Sequence, residues 1–179
     1  MKPSIILKSA LACTLLLPFI GCHSKSAPTS ENFLQGLNKH YVDHPDCLLA
    51  NIRFPYETIN PKETAQMDTL VKSQLLEKTV EMSSHASRYT VTPAGARYAP
   101  SFCYGHRVAN AVDKFTPPAL ANGFKETQVT YRYAMEDVPV WAKSANVLKA
   151  FPAMAEITSG HATGVATLAQ TPVGWQVPD

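Results

Sequence analysis

Apolar and polar positions alternate most cleanly along residues 126–136, where Val129, Tyr131, Tyr133 and Met135 fall on one side and Gln128, Thr130, Arg132 and Ala134 on the other. A period of two is the spacing of a strand with one buried face, so this run is expected to organise a sheet. Residues 163–169 and 173–177 read as a hairpin turning across Thr171, Pro172, Val173 and Gly174. Residues 102–104 and 106–115 read as another, turning at Gly105. Helical spacing takes over elsewhere. Phe33, Leu34, Leu37 and Tyr41 form a stripe along residues 31–42, with Ser30 placed to cap the first turn.

Pro61 suits the first turn of a second helix, because its missing amide proton would have no partner there anyway. Met67, Leu70, Val71 and Leu75 continue the apolar face of that helix to about Gln74. Residues 48–54 read as a short strand, residues 78–81 and 88–92 as a hairpin, and residues 93–98 as a helical turn. Asp137 is placed to cap a helix through Ala150, with Trp141, Ala145 and Leu148 on one face. The expected fold class is α+β, with helices and a small hairpin in residues 31–100 and an antiparallel sheet with one helix in residues 101–179. No internal repeat is visible.

The start of the chain follows a different pattern. Lys2 and Lys8 are its only charges before Lys25, and residues 9–21 are thirteen uncharged positions that include Leu15, Leu16 and Leu17. A membrane-spanning helix needs roughly 20 apolar residues, so the run has the dimensions of a signal peptide. It ends in Phe19-Ile20-Gly21-Cys22, which resembles the lipobox of bacterial lipoproteins. Phe19 departs from the usual Leu of that motif. The resemblance implies removal of residues 1–21, acylation of Cys22 and a membrane anchor. His23 occupies the position where Asp favours retention in the inner membrane, so the resemblance implies the outer membrane, facing the periplasm. Simple secretion after Ala12 and an uncleaved anchor are the alternatives. Residues 22–30, small and polar, read as a flexible tether.

Processing would change the charge and cysteine pictures. The chain has 16 basic and 14 acidic residues, but two lysines belong to the leader, so residues 22–179 carry 14 of each. A neutral domain has no net electrostatic attraction to a phosphate backbone. Of four cysteines, Cys13 leaves with the leader and Cys22 takes the lipid. Cys47 and Cys103 remain, and in an oxidising compartment they are expected to pair; two buried thiols are the alternative.

Residues 67–99 resemble the recognition helix and wing of bacterial winged-helix regulators, through Leu70, Leu75, Leu76, Thr92 and Gly95. Gln74 stands where glycine is usual and Val91 where leucine is. The resemblance covers about 33 of 179 residues and implies a winged-helix-like shape. It would imply DNA binding only if the leader were misread. Phe102-Cys103-Tyr104-Gly105, the strand with Val129, Tyr131 and Tyr133, and Val138-Pro139 followed by Trp141-Ala142 resemble uncharacterised bacterial lipoproteins, a likeness that brings no catalytic residues.

Candidate chemistry is sparse. His40, Asp43 and His44 share helical spacing and are weak candidate metal ligands, but Tyr41 stands where a zinc protease needs Glu. Ser83, Ser84, His85 and Ser87 put hydroxyls near an imidazole, without the glycine elbow that exposes a nucleophile, and read as a polar turn. Lys125, Arg132 and Lys143 with Tyr131 and Tyr133 would make a basic aromatic patch, although strand tyrosines of this kind more often pack a core. His106, His161 and Trp175 have no partner spacing. The expected role is a non-catalytic, lipid-anchored envelope protein that binds another envelope protein or a cell-wall component, with no cofactor and no nucleic acid. A periplasmic enzyme using His40 and His44, or a winged-helix DNA-binding regulator, are the rival readings.

Overall fold

The alternating run does organise a sheet. The structure, a computed structural model, describes residues 24–160 and 162–178. The leader, Cys22 and His161 lie outside the described residues. In chain order the elements are α1 (Ser30–Asp43), β1 (Tyr56–Thr58), α2 (Pro61–Lys72), β2 (Leu76–Val80), β3 (Ser87–Val91), β4 (His106–Phe115), β5 (Ala119–Ala121), β6 (Phe124–Glu136), a 3-10 turn (Val140–Lys143), α3 (Ala145–Ala150), α4 (Pro152–Ile157), β7 (Ala162–Thr171) and β8 (Gly174–Gln176). Both sheets are antiparallel, and the fold is mixed α+β.

The larger sheet has the order β4-β6-β7-β8, with β5 pairing the first residues of β6. Val129, Tyr131 and Tyr133 point to the buried face. They meet Phe33 and Leu37 from α1, Leu168 from β7 and Trp175 from β8. Full burial of each such side chain contributes about 1.5–3 kcal/mol. Gly36 lets α1 approach closely, since a Cβ there would collide with the Trp175 carbonyl. Asn38 ties the same helix to β4: its amide nitrogen donates to the Ala109 carbonyl (3.1 Å) and its amide oxygen accepts from the Ala109 N–H (2.7 Å). This clip sits where the register of β4 against β6 shifts.

The smaller sheet has the order β1-β3-β2. Met67 and Leu70 from α2 join Leu75, Leu76 and Tyr89 in its core. Asn60 caps α2 by accepting from the amides of Lys62 and Glu63, and Pro61 opens the helix. Phe102, Trp141, Val147 and Met154 complete the packing from farther along the chain. Met135 and Ile157 touch both cores.

Packing therefore crosses the sequence division at residue 100. α1 closes the larger sheet, while the 3-10 turn, α3 and α4 close the smaller one. Local readings shift as well. Thr29, not Ser30, caps α1 by accepting from the Asn32 amide. Residues 48–54 form no strand; the strand lies at β1 instead. Residues 102–104 do not pair with β4, because Leu48 and Leu49 donate to the carbonyls of Phe102 and Ser101 and take their place. Asp137 adopts a left-handed φ of 57° and caps nothing, and Ala145 is exposed. The expected single helix is broken at Ser144, whose extended backbone (ψ 131°) separates the 3-10 turn from α3. α3 ends where Pro152 biases Phe151 away from helical angles. That same proline then opens α4.

The segment read as a tether is held to the domain from Ser24 onward. The Ser26 carbonyl accepts from Gln170 (2.8 Å), and the Ala27 carbonyl accepts from the Trp175 indole (3.1 Å) and the Asn32 amide (2.8 Å). A run of small polar residues looks flexible in sequence, but here its backbone carbonyls accept hydrogen bonds from Gln170, Asn32 and the core residue Trp175.

Candidate functional site

Cys47 and Cys103 form a disulfide across 56 residues of chain, in a short antiparallel bridge. The Asp46 N–H donates to the Gly105 carbonyl (2.9 Å), and the Tyr104 N–H donates to the Asp46 carbonyl (2.8 Å). That pairing delivers the Asp46 carboxylate to Arg107, whose Nε and Nη2 donate to it at 2.9 and 2.8 Å. Both side chains are largely buried. The Arg107 guanidinium also lies 5.4 Å from the Tyr41 ring centre and 5.0 Å from that of Tyr133, within cation–π range.

The cluster continues inward. The Tyr41 and Tyr131 hydroxyls share a hydrogen bond, and the Tyr131 ring lies against Gly164, where a Cβ would collide with it. Burial, reinforced by the hydrogen bond to Tyr41, pushes the Tyr131 phenol well above its usual range. Burial and then the nearby Asp46 carboxylate push Tyr104 up to about 12. The hydrogen bond to Asp46 raises Arg107 further, so the guanidinium stays charged. A bidentate arginine flanked by tyrosine rings is a joint, tying the disulfide loop to the larger sheet. Asp46 and Arg107 escaped the sequence reading, although both flank the expected disulfide and an antiparallel bridge there would have brought their neighbourhoods together.

The His40 and His44 rings stack at 4.1 Å and 14° on the last turn of α1, and His44 Nδ1 lies 2.9 Å from the His40 carbonyl oxygen. Together with Asp43 they edge a shallow pocket closed by Gln176 and Val177. Among the described residues, no group of three or more His, Cys, Asp or Glu is placed to hold a metal ion.

The helix and wing are charge-paired. Lys78 meets Asp68 at 2.9 Å, and the Tyr89 hydroxyl donates to Asp68 at 2.8 Å. Arg88 meets Glu57 at 2.6 Å. Glu63 accepts from Tyr56 and Thr58, each at 2.6 Å. At the wing tip, Ser83 donates to Glu81 and Ser84 accepts from the Ala86 amide, so these hydroxyls serve the turn. Ser87 lies buried on β3, and His85 is exposed with φ 56°.

The basic aromatic patch does not assemble. Tyr131 and Tyr133 face the core, whereas Arg132 faces out and meets Asp113 at 3.0 Å. His106 lies 3.5 Å from Asp137, and Trp175 is buried against Phe33. Among the described residues, no helix is long and apolar enough to cross a membrane. Scans against protein-family models, curated proteins and solved structures found no match to this chain.

Proposed function

We propose that this chain is a lipid-anchored protein of the bacterial cell envelope, whose domain binds another envelope protein or a cell-wall component without catalysis. The observation that carries the reading is the leader ending in Phe19-Ile20-Gly21-Cys22, with its basic start and short apolar run. The Cys47–Cys103 disulfide supports it, because such bonds persist in oxidising compartments. So does the chemistry of the described polar clusters, in which carboxylates, arginines and lysines are tied to one another across the fold. The proposed site is the outer membrane, with the domain in the periplasm.

Labelled palmitate should enter the wild-type chain and fail to enter the Cys22→Ala variant, which should leave the membrane fraction. Unchanged fractionation of that variant would refute the anchor. Crosslinking in intact cells should then recover a specific envelope protein or peptidoglycan fragment; recovery of chromosomal DNA instead would favour the regulator reading.

A further inference from the structure

The chain enters the described structure at one end of the larger sheet. Ser26 is bound by Gln170 at the end of β7, and the Lys25 carbonyl lies against Gly174 at the start of β8. The first residues of β6 share this end, since Glu126 pairs with Ala169. So does β5, whose Leu120 pairs with Lys125. Apolar side chains stand in water there: Leu120 is 79% exposed, Phe124 51% and Val173 65%. Lys25 and Lys125 are exposed at this end, as are Glu31 and Glu126, the latter bonded to Asn122. At the opposite end of β6, Met135 enters the core of the smaller sheet. The 13 residues of β6 span roughly 40 Å at strand rise.

We propose that this end of the sheet is a membrane footprint, with Leu120, Phe124 and Val173 entering the interface of a phospholipid bilayer and the lysines facing its headgroups. The inference rests on the lipid anchor proposed above. Only His23 separates Ser24 from Cys22, a reach of at most about 7 Å, so an acyl anchor would hold this end at the bilayer surface. Exposed apolar tips beside an acyl anchor, with lysines among them, suit a lipid interface. The smaller sheet and its wing then project away from the membrane.

The full lipidated protein carries the test. Leu120→Cys and, separately, Met82→Cys on the wing are labelled with an environment-sensitive fluorophore, the native cysteines being occupied by lipid and disulfide. Each protein is reconstituted into vesicles of phosphatidylethanolamine with a minority of phosphatidylglycerol and nitroxide-labelled acyl chains. Quenching at position 120 should exceed that at 82 several-fold. Equal quenching at both positions, with the protein still floating with the vesicles, overturns the footprint and leaves the anchor standing. Protection of position 120 in native envelopes but not in vesicles overturns it in favour of a protein partner. A wild-type chain that takes up no palmitate removes both readings.

Discussion

In the larger sheet β6 supplies Val129, Tyr131 and Tyr133 to the core by plain alternation, and α1 closes it with Phe33 and Leu37. Around the smaller sheet no strand exceeds five residues, and Phe102, Trp141 and Val147 arrive from a loop, a 3-10 turn and a short helix. The first core rests on a ladder of paired main-chain groups along ten-residue strands. The second substitutes cross-links for length: the disulfide, the Asp68–Lys78–Tyr89 cluster and the carboxylate of Glu63. Short strands leave a core dependent on whatever pins the loops that finish it.

Removing the largest pin should separate the two cores most. Cys47→Ser with Cys103→Ser releases a 56-residue loop, worth about 4 kcal/mol in the chain-entropy model. Amide exchange should then accelerate in β1, β2 and β3 well before β6 and β7. Uniform acceleration would show that the two cores unfold as one.

Next is the joint itself. Arg107→Ala strands a largely buried carboxylate, at a cost of about 3 kcal/mol by denaturant titration. A double-mutant cycle with Asp46→Ala should recover most of that as coupling. Strict additivity would mean the pair joins nothing.

Gly164→Ala strikes the regular core instead. Its methyl group meets the Tyr131 ring, and overpacking of this kind costs about 1–3 kcal/mol. The near-ultraviolet tyrosine signal should change while exchange in β2 and β3 stays at its wild-type rate.

The smallest effect is acid lability of the smaller sheet. Burial pushes the Asp68 carboxyl up, but hydrogen bonds from Lys78 and Tyr89 outweigh it and hold the group below the usual carboxylate range. Hydrogen bonds from Thr58 and then Tyr56 hold Glu63 low in the same way. A depressed folded pKa gives stability that is complete above the ordinary carboxylate value of about 4 and is lost as pH falls through the lower folded value. Asp68→Asn should flatten this acid limb of a stability–pH profile.

The same contrast sets what sequence could reveal. β6 was legible because both its faces obey one period, and α1 and α2 because their stripes and the Pro61 start are local signals. The choice of α1 for the distant sheet was not, since its stripe would fit either core; Gly36 against Trp175 and Asn38 against Ala109 decide it across long stretches of chain. The break at Ser144 between the 3-10 turn and α3 was not legible, since Trp141 and Leu148 fit one helical face across it. The cysteine pair was foreseeable, and the Asp46–Arg107 joint beside it needed the bridge register that the pair imposes.

The Asn38 clip also bears on the open edge of the larger sheet. β4 is an outer strand of ten residues, and a long, flat outer strand is a template on which a second copy can continue the sheet. With both main-chain groups of Ala109 already claimed and the register shifted beside it, the template is interrupted near its middle. A second copy adding to this edge would meet a break at Ala109, and one asparagine on a neighbouring helix supplies it.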